Sequence, residues 1–201
     1  MSIRFIALAV ALCLCAQPLT AQSPGTRFEV GAQLTTVASG EFDAPDIGVS
    51  GRVGWRPIPL IGAEAEIGFY PGDFPDRAPF SRGRVEGFFG VTAGPVLGRI
   101  RPFVKLRPGF FTFHEAPEPF PCIRIFPPPL ACALGSGRTS FALDLGGGLE
   151  VLATPRTFVR IDLGDRLMKY PGPVLDRERG VRTDGFVGHD FRLAVGGGLR
   201  F

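Results

Sequence analysis

Several residue types are scarce here, and each scarcity removes a class of function. Only two His, one Trp and two Tyr occur in 201 residues, and 22 Lys and Arg against 19 Asp and Glu leave a net charge of +3 with no basic run or stripe. Lacking that electrostatic footprint, the chain is not expected to bind nucleic acid. Helix-forming runs are few, and the apolar run at residues 5–16 is about twelve residues long, too short to cross a bilayer as a helix. Of four Cys, Cys13 and Cys15 lie in or just after that run, leaving Cys122 and Cys132 without the further Cys or His that a zinc site needs. No residue pattern calls for a metal or an organic cofactor.

What is abundant is turn chemistry and aromatic bulk: 28 Gly, 20 Pro and 19 Phe. That composition favours an all-β protein of one domain with many turns. Arg4, the apolar run and the small residue closing Leu19-Thr20-Ala21 read as a cleaved export leader, so residues 1–21 are the expected signal peptide and residues 22–201 the mature domain. Lipoprotein processing at Cys13 or Cys15 is disfavoured, because Leu12 and Leu14 stand where a small residue is required. In an oxidising compartment Cys122 and Cys132, close together in one loop-like stretch, are expected to form a disulfide.

Residues 189–201 show the clearest pattern. Phe191, Leu193, Val195, Leu199 and Phe201 alternate with Arg192, Ala194 and Arg200, a period of two that only an extended strand turns into separate faces. Seven earlier segments alternate in the same way. They begin near Arg27, Ile47, Ile61, Val85, Val104, Ser140 and Phe158, and in each one face is apolar and nearly free of charge, with Asp165 the exception. Links after the second, fourth and sixth segments are short, and those after the first, third, fifth and seventh are long. Pro108-Gly109 is expected to force a bulge or distortion, since proline cannot donate to a ladder. The stretches 115–137 and 171–188 read as irregular. A Gly triplet recurs in F-A-L-D-L-G-G-G-L-E-V (from Phe141) and F-R-L-A-V-G-G-G-L-R-F (from Phe191), where a small barrel curves sharply.

An even set of amphipathic strands, alternating link lengths and a closing Phe201 together resemble the small outer-membrane β-barrels of the OmpA-transmembrane, OmpX and OmpW type. The resemblance implies a transmembrane, eight-stranded, antiparallel up-and-down β-barrel in a Gram-negative outer membrane. A secreted lipocalin-like barrel is the rival, disfavoured by the charge-free apolar face. The resemblance further implies a monomer surrounded by outer-membrane lipid and lipopolysaccharide, with Phe191, Leu193, Val195, Leu199 and Phe201 as the signal read by the barrel-assembly machinery. Only Trp55, Tyr70 and Tyr170 are available for interfacial aromatic girdles.

An eight-stranded barrel is only just wide enough for its own side chains. Arg52, Arg107, Arg160 and Arg192 are therefore expected to pair inside with Glu64, Glu86, Asp144 and Glu150, plugging the lumen. The apolar loop bearing Phe120, Ile123, Ile125, Phe126 and Leu130 reads either as a docking surface for a partner or lipopolysaccharide, or as a lid over the barrel mouth. Some barrels of this type modify lipids with a Ser, a His and a carboxylate near the outer rim. His114 and His189, near Glu115, Asp190 and Ser140, are the residues that could do so, but no His-x-Ser spacing is present. The expected function is structural or surface-interacting and non-enzymatic, with a narrow porin-like conduit for small or apolar solutes as the alternative.

Overall fold

The computed structural model describes residues 28–40, 45–72, 83–115, 126–128, 130–176 and 180–201. Across them the period of two becomes backbone. The barrel strands are β1 (Phe28–Ser39), β2 (Asp46–Trp55), β3 (Ile61–Tyr70), β4 (Arg84–Ala93), β5 (Ile100–Glu115), β6 (Ser136–Leu152), β7 (Thr157–Tyr170) and β10 (Phe186–Arg200). A short helix, α1 (Leu130–Gly135), precedes β6, and a small hairpin, β8 (Val174–Asp176) with β9 (Gly180–Arg182), precedes β10. Each barrel strand pairs antiparallel with its neighbours, and β1 pairs with β10 to close the cylinder in the order β1-β10-β7-β6-β5-β4-β3-β2. The fold is an all-β, eight-stranded closed antiparallel barrel. Closure satisfies the strand backbones without water, the condition a bilayer imposes.

Residues 56–60, 94–99 and 153–156 turn the chain at one end, where Phe201 also lies and exchanges both backbone hydrogen bonds with Phe28 at 2.9 and 3.2 Å. The opposite end carries the long connections, including α1 and the β8–β9 hairpin. At β2, β3 and β4 the strands are ten residues long. At about 3.3 Å per residue and a tilt of about 40° such a strand rises about 25 Å, the height of the apolar band on membrane barrels. The outer wall matches it: Phe28, Val30, Leu34, Val49, Val53, Ile67, Phe89, Val104, Phe141, Ile161 and Val195 all face outward and are exposed. No helix among the described residues is long and apolar enough to cross a membrane, which says nothing about crossing by strands.

Four expectations are corrected here. Of the bulge or distortion expected at Pro108 only the local distortion is there: β4 and β5 keep one register, from Arg84↔Phe113 through Phe88↔Gly109 to Val91↔Leu106, with no extra residue, while the pairs between the last two are missing from the ladder. Pro108 faces outward, so its missing N–H costs ladder continuity without displacing the strand. The two stretches read as irregular hold α1 and the β8–β9 hairpin, in which Gly180 pairs with Asp176 and takes the left-handed backbone at φ +75° that favours glycine. Tyr70 and Tyr170 contribute nothing to an outer girdle, because both are buried inside, on the same face as the lumen carboxylates.

The fourth correction is the Cys122–Cys132 disulfide: no disulfide is present among the described residues. Cys122 lies outside the described residues, and Cys132 belongs to α1, a helical turn rather than an open loop. Oxidising surroundings, proximity in sequence and the lack of further metal ligands are the grounds for the bridge, and none of them fixes geometry. A disulfide needs a particular Cα separation and Cβ direction, which sequence spacing leaves undetermined. Residues 1–27, with the expected leader, also lie outside the described residues.

Candidate functional site in the barrel lumen

Because the outer face is apolar, every strand turns its polar set inward, where side chains from opposite walls meet. Among the described residues ten buried Arg and Lys face eight buried Asp and Glu, with the partly buried Asp46 at the rim as a ninth carboxylate. They form three connected tiers.

At the short-turn end, Glu29 of β1 accepts from Arg56 at 2.6 Å and Arg200 at 2.8 Å, while Arg200 also pairs with Glu150 of β6. In the middle, Glu64 of β3 is a hub. It accepts from Arg107 at 2.8 Å, from Arg160 at 2.9 and 3.0 Å, and from Arg52 at 3.2 Å. Arg160 turns its remaining donors to Asp162 at 2.7 and 2.9 Å, and Lys105 stands 2.9 Å from Asp144. In the upper tier Arg192 joins Glu66, lies 3.2 Å from Glu86 and 3.5 Å from Asp144, while Arg166 bridges Glu86 at 2.9 Å and Asp190 at 2.8 Å. Tyr70 donates to Glu86 at 2.8 Å.

Aromatic rings line the same space. The guanidinium of Arg160 sits 4.1 Å from the centroid of Phe103, and that of Arg166 4.4 Å from Phe111, close enough for cation–π attraction. The Gly triplets make room for two such rings. A Cβ on Gly148 would lie 2.7 Å from the Phe103 ring, and one on Gly198 2.5 Å from the Phe158 ring. Glycine is required there because the ring lies where a side chain would stand.

Above the upper tier the chemistry changes. Val37, Tyr70, Phe111, Phe113, Met168 and Tyr170 meet Leu130 and Leu134 of α1 and Val174 of β8 in one apolar cluster. This cluster stoppers the mouth at the long-connection end. Leu130 is thus part of the closure, whereas Phe126 is 86% exposed. Phe120, Ile123 and Ile125 lie outside the described residues.

All eight residues singled out for lumen pairing point inward. Arg52, Arg107 and Arg160 converge on Glu64; Arg107 and Arg192 reach Asp144, and Arg192 also reaches Glu86. Glu150 meets Arg200 instead. Sequence reasoning missed Asp190, Arg84 and Arg101, although their parity with Arg192, Glu86 and Lys105 places them on the polar face. Of the assembly-signal set, Phe191, Val195, Leu199 and Phe201 are exposed on the outer wall and Leu193 is half-buried there.

The residues that could have made a triad are not brought together. Ser140 and Asp190 face the lumen, where Asp190 is held by Arg166. His189 faces outward and meets Asp165 at 2.7 Å, and His114 meets the Gly83 carbonyl at 2.8 Å. Among the described residues no cluster of His, Cys, Asp and Glu has the geometry to hold a metal.

No protein-family model matches the chain, and no curated protein does. Solved structures do. Neisserial surface protein A superposes with a TM-score of 0.55 at 15% identity, covering 88% of this chain and 97% of that one. The N-terminal β-barrel domain of Pseudomonas aeruginosa OprF gives 0.51 at 12% identity, over 88% and 99% of the two chains. The outer membrane protein OprG of the same organism gives 0.50 at 12%, over 90% and 98%. At such identities the likeness is one of fold, and the fold is the closed eight-stranded antiparallel barrel of the small outer-membrane proteins.

Proposed function

We propose that this chain is a monomeric outer-membrane barrel with a structural and surface-interacting role, its strands a sealed scaffold and its long connections the recognition surface. One observation carries the reading: the lumen is closed twice, by three tiers of ion pairs and by the apolar stopper above them. A solute would have to break buried charge pairs and then displace Leu130, Leu134 and Val174. The apolar wall supports insertion among lipid and lipopolysaccharide, the expected leader supports export, and the exposed terminal strand ending in Phe201 suits a signal for the barrel-assembly machinery. In this orientation the short turns face the periplasm and α1 faces outside.

Two measurements test it together. In cells the protein should fractionate with outer membranes and migrate differently on gels before and after boiling in detergent. In planar bilayers the purified protein should pass negligible steady current. A large, stable conductance would favour the conduit instead, and recovery as a soluble periplasmic protein would overturn the scaffold itself.

A further inference from the structure

The two ends of the barrel differ in surface charge. Each of the four long connections, at residues 40–45, 71–83, 116–135 and 171–185, contains Asp or Glu, and none of the three short turns does. The turns at 56–60, 94–99 and 153–156 carry Arg56, Arg99 and Arg156. Arg56 is buried against Glu29, but Arg99 and Arg156 are exposed and have no ion pair among the described residues. Glu29 and Glu150, the acids at this level, are buried in the lumen. Among the described residues the negative group left at this surface is the α-carboxylate of Phe201, which accepts from the Phe28 N–H at 3.2 Å.

Where this rim is not cationic it is apolar. Ile58, Leu60 and Leu97 stand exposed on the turns, and Phe201, Phe28 and Trp55 lie side by side on the adjoining outer wall, exposed as well. Backbone bonds tie the turns to their neighbours: Gly94 donates to the Leu60 carbonyl, Leu152 to that of Arg99 and Arg200 to that of Arg156, each at 2.8 Å. The rim is therefore a pre-set apolar ring with cations at its edge, not three independent loops. Apolar turn tips gain by leaving water, aromatic rings sit at headgroup level, and an arginine stem can lie along apolar surface while its guanidinium reaches a phosphate. Given the membrane barrel proposed above, on which this rests, we infer that the short-turn rim is a docking surface for anionic phospholipids of the leaflet it faces. Ile58, Leu60 and Leu97 enter the headgroup boundary, and Arg99 and Arg156 hold the phosphodiesters. Each Arg beside an anionic leaflet favours it by about fivefold, before salt screening and the Phe201 carboxylate are counted.

The test uses the full mature chain refolded into phosphatidylcholine vesicles that carry a trace of spin-labelled phosphatidylglycerol or spin-labelled phosphatidylcholine. Electron spin resonance separates lipid held at the protein wall from fluid lipid, and so measures the preference of the wall for one headgroup. The expected result is a preference for phosphatidylglycerol of about twofold or more at low salt, lost towards 1 M salt, where the screening length is about 3 Å. Arg99→Gln with Arg156→Gln should abolish it, and Arg99→Lys with Arg156→Lys should keep it. Arg138→Gln with Lys169→Gln, which removes exposed cations towards the long-connection end, should leave it largely unchanged. Gel mobility before boiling checks that each variant has folded. Held phosphatidylcholine with no preference for phosphatidylglycerol, or a preference that survives Arg99→Gln with Arg156→Gln, would overturn the docking surface and leave the membrane barrel standing. No held lipid of either kind would overturn the membrane barrel, and the rim with it. Dimers in uncharged detergent that Leu97→Ser separates would give the face to a second copy of the chain instead.

Discussion

Glu64 is the residue on which the middle of the barrel depends, and Glu64→Gln tests that dependence with little change of shape. The carboxylate accepts four hydrogen bonds from three arginines, at 2.8 to 3.2 Å, while itself 3% exposed. Gln keeps one acceptor but turns an amide N–H₂ towards guanidinium donors, and it removes the charge. Arg107 retains Glu66 and Asp144, and Arg160 retains Asp162. Arg52 is left with Glu29 at 3.7 Å, beyond hydrogen-bonding distance. Breaking a buried pair costs about 3–5 kcal/mol, and because two of the three cations keep partners the lower end applies, about 3 kcal/mol. With a urea dependence of about 2 kcal/mol per molar, the midpoint should fall by about 1.5 M. Trp55, the sole tryptophan, faces outward on β2, so its emission reports passage from lipid to water during unfolding in vesicles. Adding Arg52→Met should recover part of the loss, since it removes the cation left poorly paired. A midpoint unchanged or raised by Glu64→Gln would refute the hub.

Deleting Phe201 should lower the amount inserted in cells while leaving refolding into detergent largely intact, because the residue contributes only two backbone bonds to the barrel; equal insertion would count against an assembly signal. Arg160→Ala with Glu86→Ala should open the network only to brief current steps, and Leu134→Asp should be needed in addition for sustained conductance, because the stopper is a separate barrier; steady current without Leu134→Asp would show that the stopper does not seal. Gly198→Ala should destabilise by about 1–3 kcal/mol by overpacking, since the new Cβ would stand 2.3 Å from the Val30 carbonyl oxygen and 2.5 Å from the Phe158 ring. Urea unfolding with the Trp55 signal measures it, and a neutral result would mean that the triplet is not shaped by that ring.

Strand number, sidedness and link asymmetry were legible because each follows from a period of two, and a period of two follows from chain geometry alone. Arg107 and Asp144 point inward for the same reason that Leu106 and Leu143 point outward. The stopper was harder to read. Leu130 and Leu134 stand four apart, a helical spacing, but proline and glycine around them hide a helix of one and a half turns. Tyr70 and Tyr170 were assigned by residue type to an outer girdle, although parity with Glu66 and Arg166 placed both inside. Which carboxylate each arginine would choose was not legible, because partners lie across the barrel on strands far apart in sequence. Arg192 and Glu66 are one such pair, and strand stagger decides their level.

The placement of charge also bears on why the lumen is not simply filled with hydrophobic side chains. With both faces apolar, a strand that slipped by one residue would exchange faces at little cost, and register would be poorly specified. Here a one-residue slip of β7 would turn Arg160, Asp162 and Arg166 towards lipid, and a slip of β5 would do the same to Lys105 and Arg107. Each Arg or Lys so placed near the bilayer midplane costs about 2–4 kcal/mol, and each also strands its former partner inside. A buried ion pair adds little net stability over a well-packed apolar pair, so specification of register is the larger part of what these charges contribute. Substitutions that remove both members of a pair should therefore cost less stability than those that remove one, while raising the fraction of chains that refold in the wrong register.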